Sequence, residues 1–262
     1  MMLLGKAIAV TGSSSGIGAR TAELCTQLGA EVIGVDRNAG GSPLAGFIQG
    51  DLSSAAGVAA IARQLPQRLD ALCNVAGLSG APGAAPTVGV NFYGLRALSE
   101  AAAPRIRAGG AVVNVASIAG YGWRANLERA KAMVAVSGFP DVAALLKQHE
   151  VPDSYGYPLS KELLLLWTQI AAHQPAFKSN GVRVVAVSPG PVDTPILKEF
   201  RQVLGDQRVD SDIAPVGRAG VPADIAPVVA FLCSDGARWI NGINIAVDGG
   251  LEAAINAQVL GF

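Results

Sequence analysis

The chain has 262 residues, of which 50% are hydrophobic and 15% charged. That supplies enough apolar matter for a sizeable core and excludes a disordered chain. Lys+Arg (20) and Asp+Glu (20) cancel and no basic run appears, which argues against a nucleic-acid protein; the 32 glycines and 15 prolines lack a period, which excludes collagen.

Taken in order, short apolar runs alternate with helical patterns. Strands are expected at Ala7–Val10, Glu31–Val35, Phe47–Gln49, Ala71–Val75, Ala111–Val115, Arg183–Val187 and Asn244–Val247. Several are apolar on both faces, as in a covered parallel sheet. Helices are expected near 17–28, 54–64, 91–107, 158–173 and 222–233. The alternation predicts βαβ units with right-handed crossovers: an α/β, doubly wound Rossmann-type parallel sheet of about seven strands with helices on both faces. No linker or repeat divides residues 1–262, so one domain is expected.

No stretch approaches the roughly 18 apolar residues of a membrane span, so no membrane partner is expected. The opening MMLLGKAIAV has no basic leader and is interrupted by Lys6; it reads as a first buried strand, not a signal peptide. Cys25, Cys73 and Cys233 are odd in number and far apart, with neither metal nor disulfide spacing, which suits a reducing, cytoplasmic setting. His149 and His173 are the only histidines. They read as exposed helix-end residues, and no metal site is expected.

The first strand runs into Thr11-Gly12-Ser13-Ser14-Ser15-Gly16-Ile17-Gly18 and then a helix. Gly12 permits the turn, Gly16 lets backbone approach a pyrophosphate, and Gly18 lets the helix pack on the sheet. Ser14, Ser15 and Ile17 complete the loop, and the helix N-terminus offers N–H groups to phosphate. The spacing differs by one residue from the G-x-G-x-x-G fingerprint, and no Lys-Ser/Thr pair follows, so the loop is not a Walker A loop. A plain Gly/Ser loop is the alternative. The second strand ends at Asp36, where a carboxylate accepts from both adenosine ribose hydroxyls and repels a 2′-phosphate. This favours NAD over NADP, although the neighbouring Arg37 offers a partner for a phosphate. The alternative for Asp36 is a solvated turn residue.

Tyr157-Pro158-Leu159-Ser160-Lys161 opens a later helix. Four-residue spacing puts Tyr157 and Lys161 on one face, and Pro158 suits a first turn. An adjacent ammonium should lower the phenol's pKa and make Tyr157 usable as a general acid/base. Taken alone, the pair is more often a surface contact.

These motifs, with Asp51-Leu52, NVAG at 74–77, VNFYG at 90–94, NVAS at 114–117, PGPVDT at 189–194 and VDGG at 247–250, resemble the short-chain dehydrogenase/reductase family, single-domain type, from Lys6 to Gly250. The resemblance implies that Tyr157 exchanges the proton with the substrate oxygen, and that Lys161 tunes it and holds the nicotinamide ribose. It also implies that Ser117 hydrogen-bonds the reacting oxygen and that Asn91 positions a water behind Lys161. Asp51 and Leu52 would face the adenine, and Asn74, Ala76 and Gly77 would lie along the cofactor. Pro189 and Gly190 would border the nicotinamide, with Val192 and Thr194 near its carboxamide. Cys73 stands where the family commonly has a first asparagine. Asn74 and Asn91 have structural capping as an alternative, and Thr194 a turn. The expected partners are a small alcohol or ketone and, as is common in the family, further copies in a homodimer or homotetramer, with 222–233 and 243–247 as interface elements.

Ser117 and Tyr157 are 40 positions apart, farther than is usual in the family. The extra segment, about 122–154, reads as two short helices, with Pro140 at the start of the second and Asp141 in its first turn. It is expected to wall the substrate cleft or alter the subunit interface. With the tail after VDGG it resembles the bacterial 3α-hydroxysteroid dehydrogenase/carbonyl reductase subgroup. That implies an NAD(H)-linked secondary alcohol–ketone interconversion on a bulky apolar substrate, such as a 3α-hydroxysteroid or an aryl ketone. Trp123, Met133, Tyr155 and Val192 are possible pocket residues, each with core packing as its alternative. A non-catalytic dinucleotide sensor on the same fold is the competing reading; it has no need of Asn91, Ser117, Tyr157 and Lys161 together.

Overall fold

Period-2 alternation explains how the sheet is covered on both sides. Ile8 and Val10 enter one apolar cluster and Ala9 the other; Val113 and Val185 face opposite to Val112 and Val184. The computed structural model, which describes residues 1–40 and 43–262, contains a seven-stranded sheet in the order β3-β2-β1-β4-β5-β6-β7, parallel throughout. The strands are β1 (Ala7–Thr11), β2 (Glu31–Asp36), β3 (Gly46–Gln49), β4 (Leu69–Asn74), β5 (Ile106–Val115), β6 (Arg183–Pro189) and β7 (Asn244–Val247). The strand order reverses between β1 and β4, the switch point where such sheets open a crevice at their carboxyl ends.

Helices follow in the sequence α1 (Gly16–Gln27), α2 (Ala55–Gln64), α3 (Ala84–Val88), α4 (Leu95–Ala102), α5 (Leu127–Ala135), α6 (Val142–Gln148), α7 (Gly156–Ala171), α8 (Pro175–Lys178), α9 (Pro195–Leu204), α10 (Asp206–Ile213), α11 (Pro222–Leu232) and α12 (Leu251–Leu260). One apolar cluster joins the sheet to α2, α4 and α7, and the other joins it to α1 and α11. All seven expected strands are present, with ends shifted by up to five residues.

The single helix expected at 91–107 is corrected. A π-helical turn at Gly89–Gly94 precedes α4, and β5 already begins at Ile106. The wider π turn carries Asn91, whose side chain is tied to other segments, a common use of such turns. Pro104 then ends the helical path, since its ring and missing N–H cannot continue it. Helices α9, α10 and α12 lie where no element was expected.

The insertion forms α5 and α6 as expected, but Pro140 lies outside α6. Its N-cap is Asp141, whose carboxylate accepts from the Ala144 N–H at 3.0 Å. Arg96 of α4 holds this segment. Its buried guanidinium lies over the Phe92 and Tyr93 rings at 5.3 and 5.0 Å and donates to the carbonyls of Val134 and Gly138. The Tyr93 hydroxyl adds a bond to the Met133 carbonyl at 2.9 Å.

Candidate active site

The glycine loop has the conformation its sequence demands. Gly12 sits at φ +70°, and a Cβ there would come within 2.8 Å of the Ala76 backbone. At Gly18 a Cβ would meet the Gly12 carbonyl at 2.0 Å, so α1 packs against its own loop only with glycine there. Ser15 caps α1 without a side-chain hydrogen bond, and no acidic residue lies in the first turn. The helix dipole and first-turn N–H groups are thus available to a phosphate. A Cβ on Gly16 would lie 3.2 Å from the Thr194 methyl, so the loop and the PGPVDT segment face each other across a narrow cradle. These features fit a dinucleotide.

Asp36 ends β2 beside this loop. Its carboxylate accepts from the N–H groups of Ser14 at 3.0 Å and Asn38 at 2.9 Å. Asp51, exposed, accepts from the Ser53 N–H and hydroxyl, and Leu52 is buried against Gly94. The β4 terminus is pinned by Thr11, a residue to which the motif reading assigned no role. Its hydroxyl oxygen accepts from the N–H groups of Val75 and Ala76, both at 3.0 Å. Any hydroxyl beside a strand end looks alike in sequence, so only the β1–β4 pairing reveals this one.

Asn74 ends β4. Its fully buried side chain donates to Ser99 Oγ at 2.7 Å and Asn114 Oδ1 at 2.8 Å, a polar network behind the sheet. Asn91 clamps the next turn, accepting from the Leu78 N–H at 2.7 Å and donating to the Leu78 carbonyl and Ser160 Oγ. A Cβ on Gly77 would fall 3.3 Å from Asn91 Oδ1 and 3.9 Å from Lys161 Nζ, which places these three residues together.

Ser117, Tyr157 and Lys161 also converge. Ser117 Oγ accepts from the Ala119 N–H at 3.2 Å. Lys161 Nζ donates to the Val115 carbonyl at 3.0 Å and lies 5.6 Å from the Tyr157 ring centre. Burial governs the titration of both groups in this geometry. Burial pushes the Tyr157 pKa up, and the hydrogen-bonding Ser117 hydroxyl pulls it only part of the way back. Burial likewise pulls Lys161 down to about 8. Desolvation disfavours both charged forms.

Pro189 ends β6, and Gly190, Val192 and Thr194 follow it, Thr194 facing the glycine loop; Val192 is bridged to Gly220 and Thr194 Oγ1 donates to the Val192 carbonyl. Helix α9 lays Phe200 edge-on to Tyr157, with ring centres 4.8 Å apart, and its Glu199 accepts from Ser79. Of the four suggested pocket residues, Met133 is a fully buried core residue and Tyr155 turns toward Glu162. His149 is half-buried at the end of α6, and His173 is exposed after α7.

The glycine loop, Asp36 and the β4, β5 and β6 termini thus all sit at the carboxyl edge of the sheet, the architecture of a dinucleotide-binding α/β protein. Residues 6–152 match the family model described as short chain dehydrogenase, and residues 141–252 match one described as enoyl-(acyl carrier protein) reductase. The chain belongs to the short-chain dehydrogenase family, whose members are oxidoreductases that bind NAD or NADP.

Among curated relatives, the coniferyl-alcohol dehydrogenase of Pseudomonas sp. (strain HR199 / DSM 7063) is 45% identical over 97% of this chain and 99% of its own length. The 3-alpha-hydroxysteroid dehydrogenase/carbonyl reductase of Comamonas testosteroni is 29% identical over 95% and 97%. Among solved structures, the 3-alpha-hydroxysteroid dehydrogenase from Pseudomonas sp. B-0831, complexed with NADH, is similar with a TM-score of 0.77. It is 32% identical, and the match covers 96% of this chain and 99% of that one. No helix among the described residues is long and apolar enough to cross a membrane.

Proposed function

We propose that the protein is an NAD-dependent alcohol dehydrogenase acting on a bulky aromatic alcohol of the coniferyl-alcohol type. The observation that carries this reading is the 45% identity, spread over nearly the full length of both chains, combined with the convergence of Ser117, Tyr157 and Lys161. A nicotinamide cofactor bound in the cradle would supply the acceptor for the hydride leaving the carbinol carbon. Tyr157 takes the hydroxyl proton, and Ser117 donates to the same oxygen as charge develops on it. Lys161, while cationic, favours the phenolate form, and Asn91 holds the Leu78 turn beside it. Reduction of the carbonyl product runs the same steps backwards. The edge-on Phe200 gives the substrate side of Tyr157 an aromatic wall, which suits an aryl group.

The residues assigned to the cofactor are those of the cradle: the Gly12–Gly18 loop for pyrophosphate, Asp36 for the adenosine ribose, Asp51 and Leu52 for adenine, and the 189–194 segment for nicotinamide. The Asp36 carboxylate supports NAD over NADP. A 3α-hydroxysteroid is the second substrate reading, supported by the similarity to the hydroxysteroid dehydrogenases. A panel of coniferyl and cinnamyl alcohols, 3α-hydroxysteroids and aryl ketones, followed by NADH absorbance, tests both. The highest kcat/KM is expected with an aryl allylic alcohol; a steroid as the best substrate overturns that choice. Cofactor binding without turnover across the whole panel returns the molecule to the sensor reading.

A homo-oligomer built on α11 and the edge strand β7 is part of the same proposal. Trp239 is 97% exposed, and Phe231, Ile243 and Val221 are exposed in or beside the same two elements. Large apolar side chains of this kind on a surface mark an interface. Light scattering should give a dimer or tetramer for the wild type and a smaller particle for Trp239→Glu. A monomeric wild type overturns the assignment. Three buried, unpaired thiols suit a reducing, cytoplasmic environment.

A further inference from the structure

Helix α7 carries a second charged residue beside Lys161. Glu162 is fully buried, which is rare for a carboxylate and costly unless its partners are fixed. Its Oε1 accepts from the Tyr155 hydroxyl at 2.7 Å and from Asn126 Nδ2 at 2.8 Å. Asn126 also donates to the Tyr155 oxygen at 3.1 Å. Arg129 lies 5.2 Å over the Tyr155 ring and brings Nη2 to 4.0 Å from Oε2, which has no hydrogen-bond partner among the described residues.

Each partner sits at a junction of the site. Tyr155 is the N-cap residue of α7, two positions before Tyr157. Asn126 is the N-cap residue of α5, just after the 3-10 segment Ile118–Arg124 that Ser117 opens. That segment rests directly on α7: a Cβ on Gly120 would lie 2.8 Å from the Lys161 backbone, and one on Gly122 would lie 3.3 Å from Glu162 Oε1. The carboxylate thus fastens the 3-10 segment that Ser117 opens and the helix carrying Tyr157 to each other, through Asn126 of the insertion and Tyr155 just after it.

We propose that Glu162 is a positioning residue: through Tyr155 and Asn126 it sets the Ser117 hydroxyl and the Tyr157 phenol on one substrate oxygen. The inference rests on the proposed roles of Ser117 and Tyr157. Misplacement of a reacting group by about 1 Å costs on the order of 100-fold in rate, so Glu162→Ala should lower kcat by about that factor. Tyr155→Phe, which removes the bond donated to Glu162 and the one accepted from Asn126, should lower it by about tenfold. Glu162→Gln keeps an acceptor for both donors and should restore most of the activity.

The experiment measures kcat and KM for the best alcohol of the panel, NADH affinity by fluorescence titration, and Tm, for these three variants and Tyr157→Phe. The expected result is a fall in kcat with unchanged NADH affinity and recovery in Glu162→Gln. A lowered Tm with kcat unchanged in Glu162→Ala and Tyr155→Phe makes the cluster merely structural and overturns the proposal. If Glu162→Ala does not fold, Tyr155→Phe decides by the same criterion. Turnover that persists in Tyr157→Phe instead overturns the underlying site reading.

Discussion

Tyr157→Phe should abolish turnover, with kcat falling by about a thousandfold or more, the scale of a lost general acid–base, while NADH still binds. The substitution removes one oxygen and keeps the ring packed edge-on to Phe200, so the fold and the cradle at Gly12–Gly18 are untouched. Stopped-flow absorbance for turnover and fluorescence titration for binding separate the two effects. Wild-type-like turnover would remove Tyr157 from the chemistry. The pH dependence carries a definite sign. Alcohol oxidation needs the deprotonated phenol, and burial raises its pKa, so the oxidation rate of the wild type should climb through the alkaline range. Carbonyl reduction needs the protonated phenol and should fall over the same range. The climb should be opposed where Lys161, pulled down to about 8, loses the charge that favours phenolate. A flat oxidation profile across this range would contradict the assignment.

Asp36→Ser should shift coenzyme preference toward NADP. Two unit charges about 4 Å apart repel by about 4 kcal/mol at an effective dielectric near 20. A carboxylate at the ribose end therefore penalises a 2′-phosphate strongly. Solvent at this half-exposed site reduces the penalty, and the ratio of kcat/KM for NAD to that for NADP should fall by about 100-fold. Serine keeps an oxygen for the Ser14 and Asn38 N–H groups that now bond the carboxylate. The exposed Arg37 next to it remains available to pair with the phosphate. An unchanged ratio would show that Asp36 serves only the turn.

The strands and the main motifs were legible because their signals are local. The Gly12–Gly18 loop is a run of residues whose backbone needs follow from φ and close approach. Tyr157 and Lys161 meet because a helix turn brings positions four apart together. The two insertion helices were legible from apolar spacing, although Asp141 caps the second and Pro140 lies outside it. The region 91–107 was misread because its apolar pattern is compatible with one long helix. The π turn at 89–94 is imposed by Asn91 bonding to Leu78 and Ser160, partners that periodicity cannot indicate.

The sequence by itself determined a covered parallel sheet, a glycine-rich strand–loop–helix turn at its switch point and a tyrosine–lysine pair on one helix, since each depends on neighbours within a few residues. Tertiary structure alone decided how distant groups meet. Cys73 and Cys233, 160 positions apart, come within 3.4 Å; Asn74 is drawn into a buried network; Glu162 is buried against Tyr155 and Asn126; and burial raises the Tyr157 phenol. The physical reason is common to all four. Desolvation and hydrogen-bond satisfaction depend on what surrounds a group in space, and strand order, not chain order, sets those surroundings.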